Sequence, residues 1–444
     1  MAQMNKSAYE ISMPVISEQK KFLSKNKENF PNQITKQFFP LIEMNMSEAG
    51  SMLVSSDEAE IFTSGKAFFD DLCEQLESAK NSIFMEYFIF HEDQIGKRIM
   101  EILCRKAKEG VNVKLIYDDL GSLKTRTRFF RQLNICGGRA RPFFQIRIGL
   151  PLTLNYRNHR KTTIIDSSVA YIGGMNIGDE YANQKKNGKL NWRDTTVRLK
   201  GGSAINLQSI FLLDWYSLDA WQQHTKTLEE TKTYFPAPIL NKFFTDSAQV
   251  GKDLVLEMSK ENKIPTQIVT CGPNNAKKAN IEDALIRMIM SAKKNVYIQT
   301  PYFTPNDEFR MALKLASYSG VDVKIIIPGD WDKFYMKAAS SEFVRETLAQ
   351  GVRFYLYNGF IHSKMITVDG KISSIGTTNI DIRSFSLHFE ENAFFYDETF
   401  TARCEEIFEN DLKSAREVFK SDYDKQFIVK RAFWSFCKLF SPLM

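Results

Sequence analysis

Long apolar runs are what this sequence most clearly lacks. No segment approaches the ~20 consecutive apolar residues that cross a bilayer as a helix. Within these residues that excludes a spanning helix, so any membrane contact is expected at the surface of the bilayer. The opening stretch, "MAQMNKSAYEISMPVISEQKK", has no continuous apolar centre of the kind a secretory leader needs. Cysteine is scarce. Its 6 residues, at 73, 104, 136, 271, 404 and 437, share no metal-ligand spacing. With no leader ahead of them, they read as reduced thiols in a cytosolic setting. Charge of one sign is also lacking overall. Basic residues number 59 against 53 acidic, a net +6 that alone singles out no anionic partner.

One local absence is more informative. From Leu120 through Ile165 there is no acidic residue, while Lys124, Arg126, Arg128, Arg131, Arg139, Arg141, Arg147, Arg157, Arg160 and Lys161 all fall there. A solvated basic face would look the same, but this stretch runs directly into a histidine motif. An electrostatic funnel toward a phosphate-bearing substrate is the better reading.

The chain is written twice. "SAKNSIFMEYFIFHEDQIGKRIMEILCRKAKEGVNVKLIYDD" (78–119) and "SAKKNVYIQTPYFTPNDEFRMALKLASYSGVDVKIIIPGD" (291–330) follow one plan. Each has a helix end, a short strand, a polar turn, an amphipathic helix and a second strand. Strand, helix, strand implies a parallel crossover, so each half is expected to be α/β. Further along, "HRKTTIIDSSVAYIGGMN" (159–176) and "HSKMITVDGKISSIGTTN" (362–379) both carry His-x-Lys, four residues, Asp, six residues, Gly, two residues and Asn. The expected division is an N-terminal extension over 1–54, a first half over 55–235, a connector over 236–264 and a second half over 265–444.

Read as a hairpin with a two-residue turn, each motif sets His159 across from Asn176 and His362 across from Asn379. His159, Lys161 and Asn176 would then share one face, as would His362, Lys364 and Asn379, with Arg160 and Ser363 pointing away. One cluster is half a site: a nucleophile or base, a cation and a hydrogen-bond donor. Two clusters face to face supply a nucleophile, a separate acid and four groups around a phosphoryl centre, an inventory that suits phosphoryl transfer. Each imidazole also needs an acceptor, and Glu180, Asp194, Glu390 and Glu391 are candidates downstream of the motifs. His91, His224 and His388 have no repeated context and read as structural. Asp166 and Asp369 stand at strand ends, where a carboxylate more often anchors a turn than touches substrate.

These segments resemble the phospholipase D superfamily and, within it, the bacterial cardiolipin synthases. The resemblance is carried by "YRNHRKTTIIDSSVAYIGGMNIGDEY", "NWRDTTVRLKGG", "FLLDW", "QIVTCGP", "IQTPYFTPND", "GVDVKIIIPG" and "NIDIRSFSLHFEENAFFYD". It covers nearly the whole chain from about residue 55 and is to the short form without membrane-spanning helices. It implies two homologous α/β/α halves with mixed sheets, packed as a pseudo-twofold bilobal monomer. The implied chemistry joins two phosphatidylglycerols into cardiolipin and glycerol through a phosphohistidine, with no cofactor and no metal. By the family pattern His159 is the nucleophile and His362 the general acid/base, with Asp166 and Asp369 completing the catalytic motifs. Lys161, Asn176, Lys364 and Asn379 hold the phosphate, and Asp194 and Glu390 orient the histidines. His388 stands where that family more usually has Asn.

A phosphodiesterase of the same fold, a phospholipase D or a nuclease using water as acceptor, is the open alternative, and a non-catalytic lipid-binding scaffold is a third. Expected partners are phosphatidylglycerol and other anionic phospholipids, with no obligatory nucleic acid. The expected location is the cytoplasmic face of the bacterial membrane, peripherally, or the cytoplasm. The basic-aromatic "KQFIVKRAFWSFCKLFSPLM" and, more weakly, "KKFLSKNKENFPNQITKQFFPLI" suit interfacial segments.

Overall fold

The computed structural model describes residues 2–25, 33–143, 156–184, 191–221, 247–257, 260, 262–273 and 281–443. His224, Arg147 and 236–246 of the expected connector lie outside them.

The first half contributes β1 (Leu53–Phe62), β2 (Ser82–Tyr87), β3 (Asn112–Asp118), β4 (Arg139–Phe143), β5 (Arg157–Asn158), β6 (Lys161–Ile165), β7 (Val169–Gly173), β8 (Trp192–Arg193) and β9 (Thr196–Gly201). The second contributes β10 (Ile264–Cys271), β11 (Asn295–Gln299), β12 (Phe303–Thr304), β13 (Asp322–Pro328), β14 (Arg353–Tyr357), β15 (Phe360–Ile361), β16 (Met365–Val368), β17 (Ile372–Gly376), β18 (Ile380–Asp381), β19 (His388–Phe395) and β20 (Ala415–Val418). The expected crossovers are present: β2 pairs parallel with β3, and β11 with β13.

Their helices form for matching reasons. In Gln94–Lys108 the Asp93 side chain accepts from Gly96 N at 3.0 Å, and Ile95, Ile99, Ile102 and Leu103 make the buried stripe. In Asp307–Tyr318 Asn306 caps Phe309 N at 3.1 Å, and Phe309, Ala312, Leu313 and Ala316 are buried.

The two halves share one sheet. From one edge the order is β20-β14-β13-β11-β16-β17-β19-β10, then β1-β9-β7-β6-β2-β3-β4. Outward from the antiparallel β1–β10 pair, each half repeats the same sequence of strands, apart from the extra edge strand β20. The duplication is thus a pseudo-twofold whose axis passes between β1 and β10. Two short parallel pairs cross between the halves on the site side, β5 with β19 and β8 with β15.

The N-terminal segment docks on this body rather than offering its aromatics to lipid. Phe38, Phe39, Leu41 and Ile42 are buried in the core of the second half. Gln19 bonds both the carbonyl and the amide of Leu53, at 2.6 and 3.0 Å. Exposing that apolar face would mean undocking it, so Phe38, Phe39, Leu41 and Ile42 serve the core rather than a lipid surface.

Candidate active site

Both motifs form hairpins, but the expected register is wrong by one residue. Thr162 pairs with Ile172 and Ile165 with Val169; Met365 pairs with Ile375 and Val368 with Ile372. The turns therefore have three residues, and Asp166, Ser167, Asp369 and Gly370 have φ of 51°, 58°, 57° and 67°. The extra residue is the motif aspartate. Asp166 accepts from the amides of Lys80, Asn81 and Ser82 at 2.7–2.8 Å. Asp369 does the same for Lys293, Lys294 and Asn295. Each sits roughly 16 Å along the strand from its motif lysine. The catalytic assignment of Asp166 and Asp369 is corrected accordingly: they cap the entrance to β2 and β11. Asp166→Ala is expected to destabilise the fold by about 2 kcal/mol, lowering the thermal midpoint while the folded enzyme keeps its kcat. A kcat loss above tenfold at unchanged midpoint would contradict that role.

At the other end of the strands the halves interlock. His159 N donates to Phe389 O at 2.9 Å, and His362 N donates to Arg193 O at 2.7 Å. Each acceptor directly precedes a carboxylate that takes the same histidine's side chain. His159 Nδ1 is 2.9 and 3.0 Å from the two oxygens of Glu390, and His362 Nδ1 is 2.6 Å from Asp194 Oδ2. The orienting carboxylates are thus exchanged between halves, Glu390 serving the first motif and Asp194 the second. A carboxylate only accepts, so these pairings favour the tautomer with the proton on Nδ1 and the lone pair on Nε2, although Lys364 Nζ also lies 2.9 Å from His362 Nδ1. Both histidines remain 7% accessible, whereas Glu390 is fully buried and Asp194 nearly so.

Burial dominates the electrostatics. It pushes both histidines below their ordinary range, against the opposing pull of Glu390 on His159 and of Asp194 on His362. It likewise pushes Lys161 down to about 7 and Lys364 to about 8. Repulsion from Lys364 adds to the lowering of Lys161, and Lys161 helps lower His362. Those couplings run between halves, so the two motif lysines and the second histidine share one low-dielectric space. Lys161 Nζ also donates to His159 O at 2.5 Å, and Lys364 Nζ to His362 O, which fixes each lysine beside its own histidine.

The remaining expected residues divide. Asn176 lies beyond β7, where its Oδ1 accepts from Ile89 N at 3.0 Å and its Nδ2 donates to Tyr181 Oη at 2.7 Å. Much of its hydrogen-bonding capacity therefore goes to the scaffold. Asn379 is buried with Oδ1 unpartnered among the described residues. Glu180 faces His91 Nε2 at 3.5 Å rather than a motif histidine. Glu391 bonds Thr162 instead, and burial raises its carboxyl to about 8. Arg160 does turn away, to Asp214, and Ser363 Oγ meets Thr195 Oγ1 at 2.8 Å. The basic stretch is split: Arg157 and Arg160 are buried beside Asp118 and Asp214, while Lys124, Arg126, Arg128, Arg131 and Arg139 stay exposed.

Several wall residues carry no signal in the repeat. Thr377 Oγ1 donates to Glu390 Oε2 at 2.5 Å, and Arg193 holds Asp411 at 2.6 and 3.1 Å. Trp192 packs on His362 with ring centres 5.1 Å apart. His388, read from sequence as structural, lies against the first motif with its ring 5.5 Å from that of His159. Gly174 has a reason that sequence does not give: a Cβ there would lie 2.0 Å from Asp194 Oδ1.

A duplicated α/β sheet with paired His-Lys motifs meeting where the halves interlock defines a phospholipase D-like protein. The chain belongs to the family described as "Cardiolipin synthase, PLD-like domain", whose pattern matches residues 72–198 and 285–412. Among curated relatives it is similar to the cardiolipin synthase of Listeria monocytogenes serotype 4a (strain HCC23), 37% identical over 94% of this chain and 81% of that one. It is also 38% identical to the cardiolipin synthase of Clostridium perfringens (strain SM101 / Type A), over 96% and 85% of the two chains. In fold it resembles the phosphatidylserine synthase of Haemophilus influenzae Rd KW20, with a TM-score of 0.65 at 13% identity over 91% of this chain and 98% of that one. No described helix is long and apolar enough to cross a membrane.

Proposed function

We propose that this protein is a cardiolipin synthase that moves a phosphatidyl group from one phosphatidylglycerol to the glycerol hydroxyl of another. The observation that carries the reading is the exchanged pairing of His159 with Glu390 and His362 with Asp194, which frees an Nε2 on each histidine. In the first step His159 Nε2 attacks phosphorus and the P–O bond to glycerol breaks, with His362 giving its Nε2 proton to the leaving oxygen. The substrate's anionic phosphate stabilises the protonated form of His362 against burial. In the second step neutral His362 takes the proton of the incoming glycerol hydroxyl. Its oxygen attacks the phosphohistidine and releases His159. Lys161, Lys364 and Asn379 surround the phosphoryl oxygens, with Asn176 bracing the wall. Two lysines supply the positive charge that the transition state needs.

The purified chain is incubated with phosphatidylglycerol vesicles, with and without EDTA. Cardiolipin and glycerol in equal amounts, unchanged by the chelator, are expected. Phosphatidic acid without cardiolipin would transfer the protein to the hydrolase class.

Lipid access is assigned to the C-terminal helix Ile428–Leu439. Trp434 and Cys437 face Ala338 and Ala339 of the helix Phe334–Leu348. Val429, Phe433, Phe436 and Phe440, at i, i+4, i+7 and i+11, form an exposed apolar stripe. Exposed Lys425 and Lys430 flank it. An apolar stripe with cationic margins matches an anionic bilayer surface. The double substitution Phe433→Ser/Phe436→Ser is expected to weaken binding to phosphatidylglycerol vesicles roughly 100-fold while sparing turnover of a short-chain soluble substrate. Co-sedimentation equal to wild type would contradict this assignment.

A further inference from the structure

His388 is a polar side chain of the active-site wall that the proposed reaction leaves unused. It opens β19, and neither of its ring nitrogens has a hydrogen-bond partner among the described residues. Ring nitrogens buried without partners cost stability unless something else pairs with them. Its Nδ1 lies 3.5 Å from Glu390 Oε1, and the same carboxylate lies 2.9 and 3.0 Å from His159 Nδ1. Taken together, one nitrogen from each histidine and one oxygen of Glu390 lie within 4.8 Å of one another. A tetrahedral zinc site with bonds of about 2.0–2.2 Å has ligand-to-ligand edges of roughly 3.3 Å. The observed separations bracket that value, so closing the site needs contraction on the order of 1 Å.

We propose that His159, His388 and Glu390 form an inhibitory zinc site that overlaps the nucleophile. Two imidazoles and a carboxylate leave a fourth position for water or a phosphate oxygen, and this donor set favours zinc over the oxygen-seeking magnesium and calcium. Thr377 Oγ1, 2.5 Å from Glu390 Oε2, holds the second carboxylate oxygen as an outer-shell partner would. Inhibition follows from proton placement. In the active form the His159 proton sits on Nδ1, bonded to Glu390, and Nε2 carries the attacking lone pair. Zinc takes the Nδ1 lone pair, so the single proton of the neutral ring moves to Nε2. No proton is lost or gained by the ring, yet the attacking atom is capped. Turnover itself uses no metal; zinc acts only as an antagonist.

Metal binding stands without the transferase reading, whereas inhibition rests on it, and the experiment separates the two. The full chain is stripped with EDTA, desalted and titrated with Co²⁺ as an optical probe, followed by competition with Zn²⁺. One equivalent with the intense visible absorption of four-coordinate cobalt is expected, displaced by Zn²⁺ and not by Mg²⁺. His388→Phe and His388→Gln should each weaken binding roughly 100-fold or more. Two replacements guard against a folding defect in either. In phosphatidylglycerol turnover, zinc but not magnesium should inhibit the wild-type chain, EDTA should restore it, and the His388 variants should be correspondingly less sensitive in whatever activity they retain. Stoichiometric, His388-dependent binding in a chain with no transferase activity would keep the site and remove the transferase reading. Active protein without one-to-one binding, or with binding and inhibition indifferent to His388, would overturn the site alone.

Discussion

Chains carrying His159→Ala are expected to form no detectable cardiolipin from phosphatidylglycerol vesicles, a loss of roughly 10⁴-fold or more in turnover. That factor corresponds to about 5.4 kcal/mol of transition-state stabilisation. It is large because the other motif groups are committed elsewhere. His362 is fixed by Asp194, and both motif lysines donate to the carbonyls of their own histidines. His362→Ala should be comparably inactive on phosphatidylglycerol but for a different reason, the lack of a proton donor for the departing glycerol. An aryl phosphodiester, whose leaving group needs no protonation, separates the two. His362→Ala should give a single burst of released phenol with that substrate, and His159→Ala none. Thermal midpoints near wild type confirm that the comparison is between folded proteins.

The second large effect belongs to the exchanged carboxylates. Glu390→Gln and Asp194→Asn preserve shape but replace an acceptor-only group by one that can also donate, which favours the wrong tautomer of the facing histidine. A loss of about 10³–10⁴ in turnover is expected for each. Their kinetic signatures should be crossed with respect to sequence position. Glu390 lies in the second half but holds His159, so Glu390→Gln should suppress the burst with an aryl substrate. Asp194 lies in the first half but holds His362, so Asp194→Asn should spare the burst and slow the steps after it. The opposite assignment would mean that each carboxylate acts within its own half.

The duplicated crossovers and both histidine motifs were legible in the sequence because the repeat states them twice. Asp194 and Glu390 were legible only among four acids downstream of the motifs, and it was the family resemblance that singled them out. Their exchange was not legible, since it depends on the β5–β19 and β8–β15 pairings, which join residues 168 and 231 or so positions apart in their hydrogen-bonded side chains. The hairpin register failed for a local reason. A turn that lets Asp166 or Asp369 reach three amides needs a third residue and left-handed backbone, and Ser167 gives no glycine signal for it. His388 was passed over because it has no counterpart in the other half; only the fold sets it beside His159. Phe38 and Phe39 were ambiguous for the reverse reason. Basic-aromatic composition suits lipid and core equally, and the structure buries these two in the core.

In the proposed reaction His159 bonds covalently to phosphorus while His362 manages the proton. This division of roles is tested most directly by quenching the His362→Ala chain in alkali during turnover of a phosphatidyl aryl ester and mapping the adduct by mass spectrometry. One phosphatidyl group per chain is expected, on the peptide containing His159. An adduct elsewhere, or product formed with inverted configuration at phosphorus and no adduct, would contradict it.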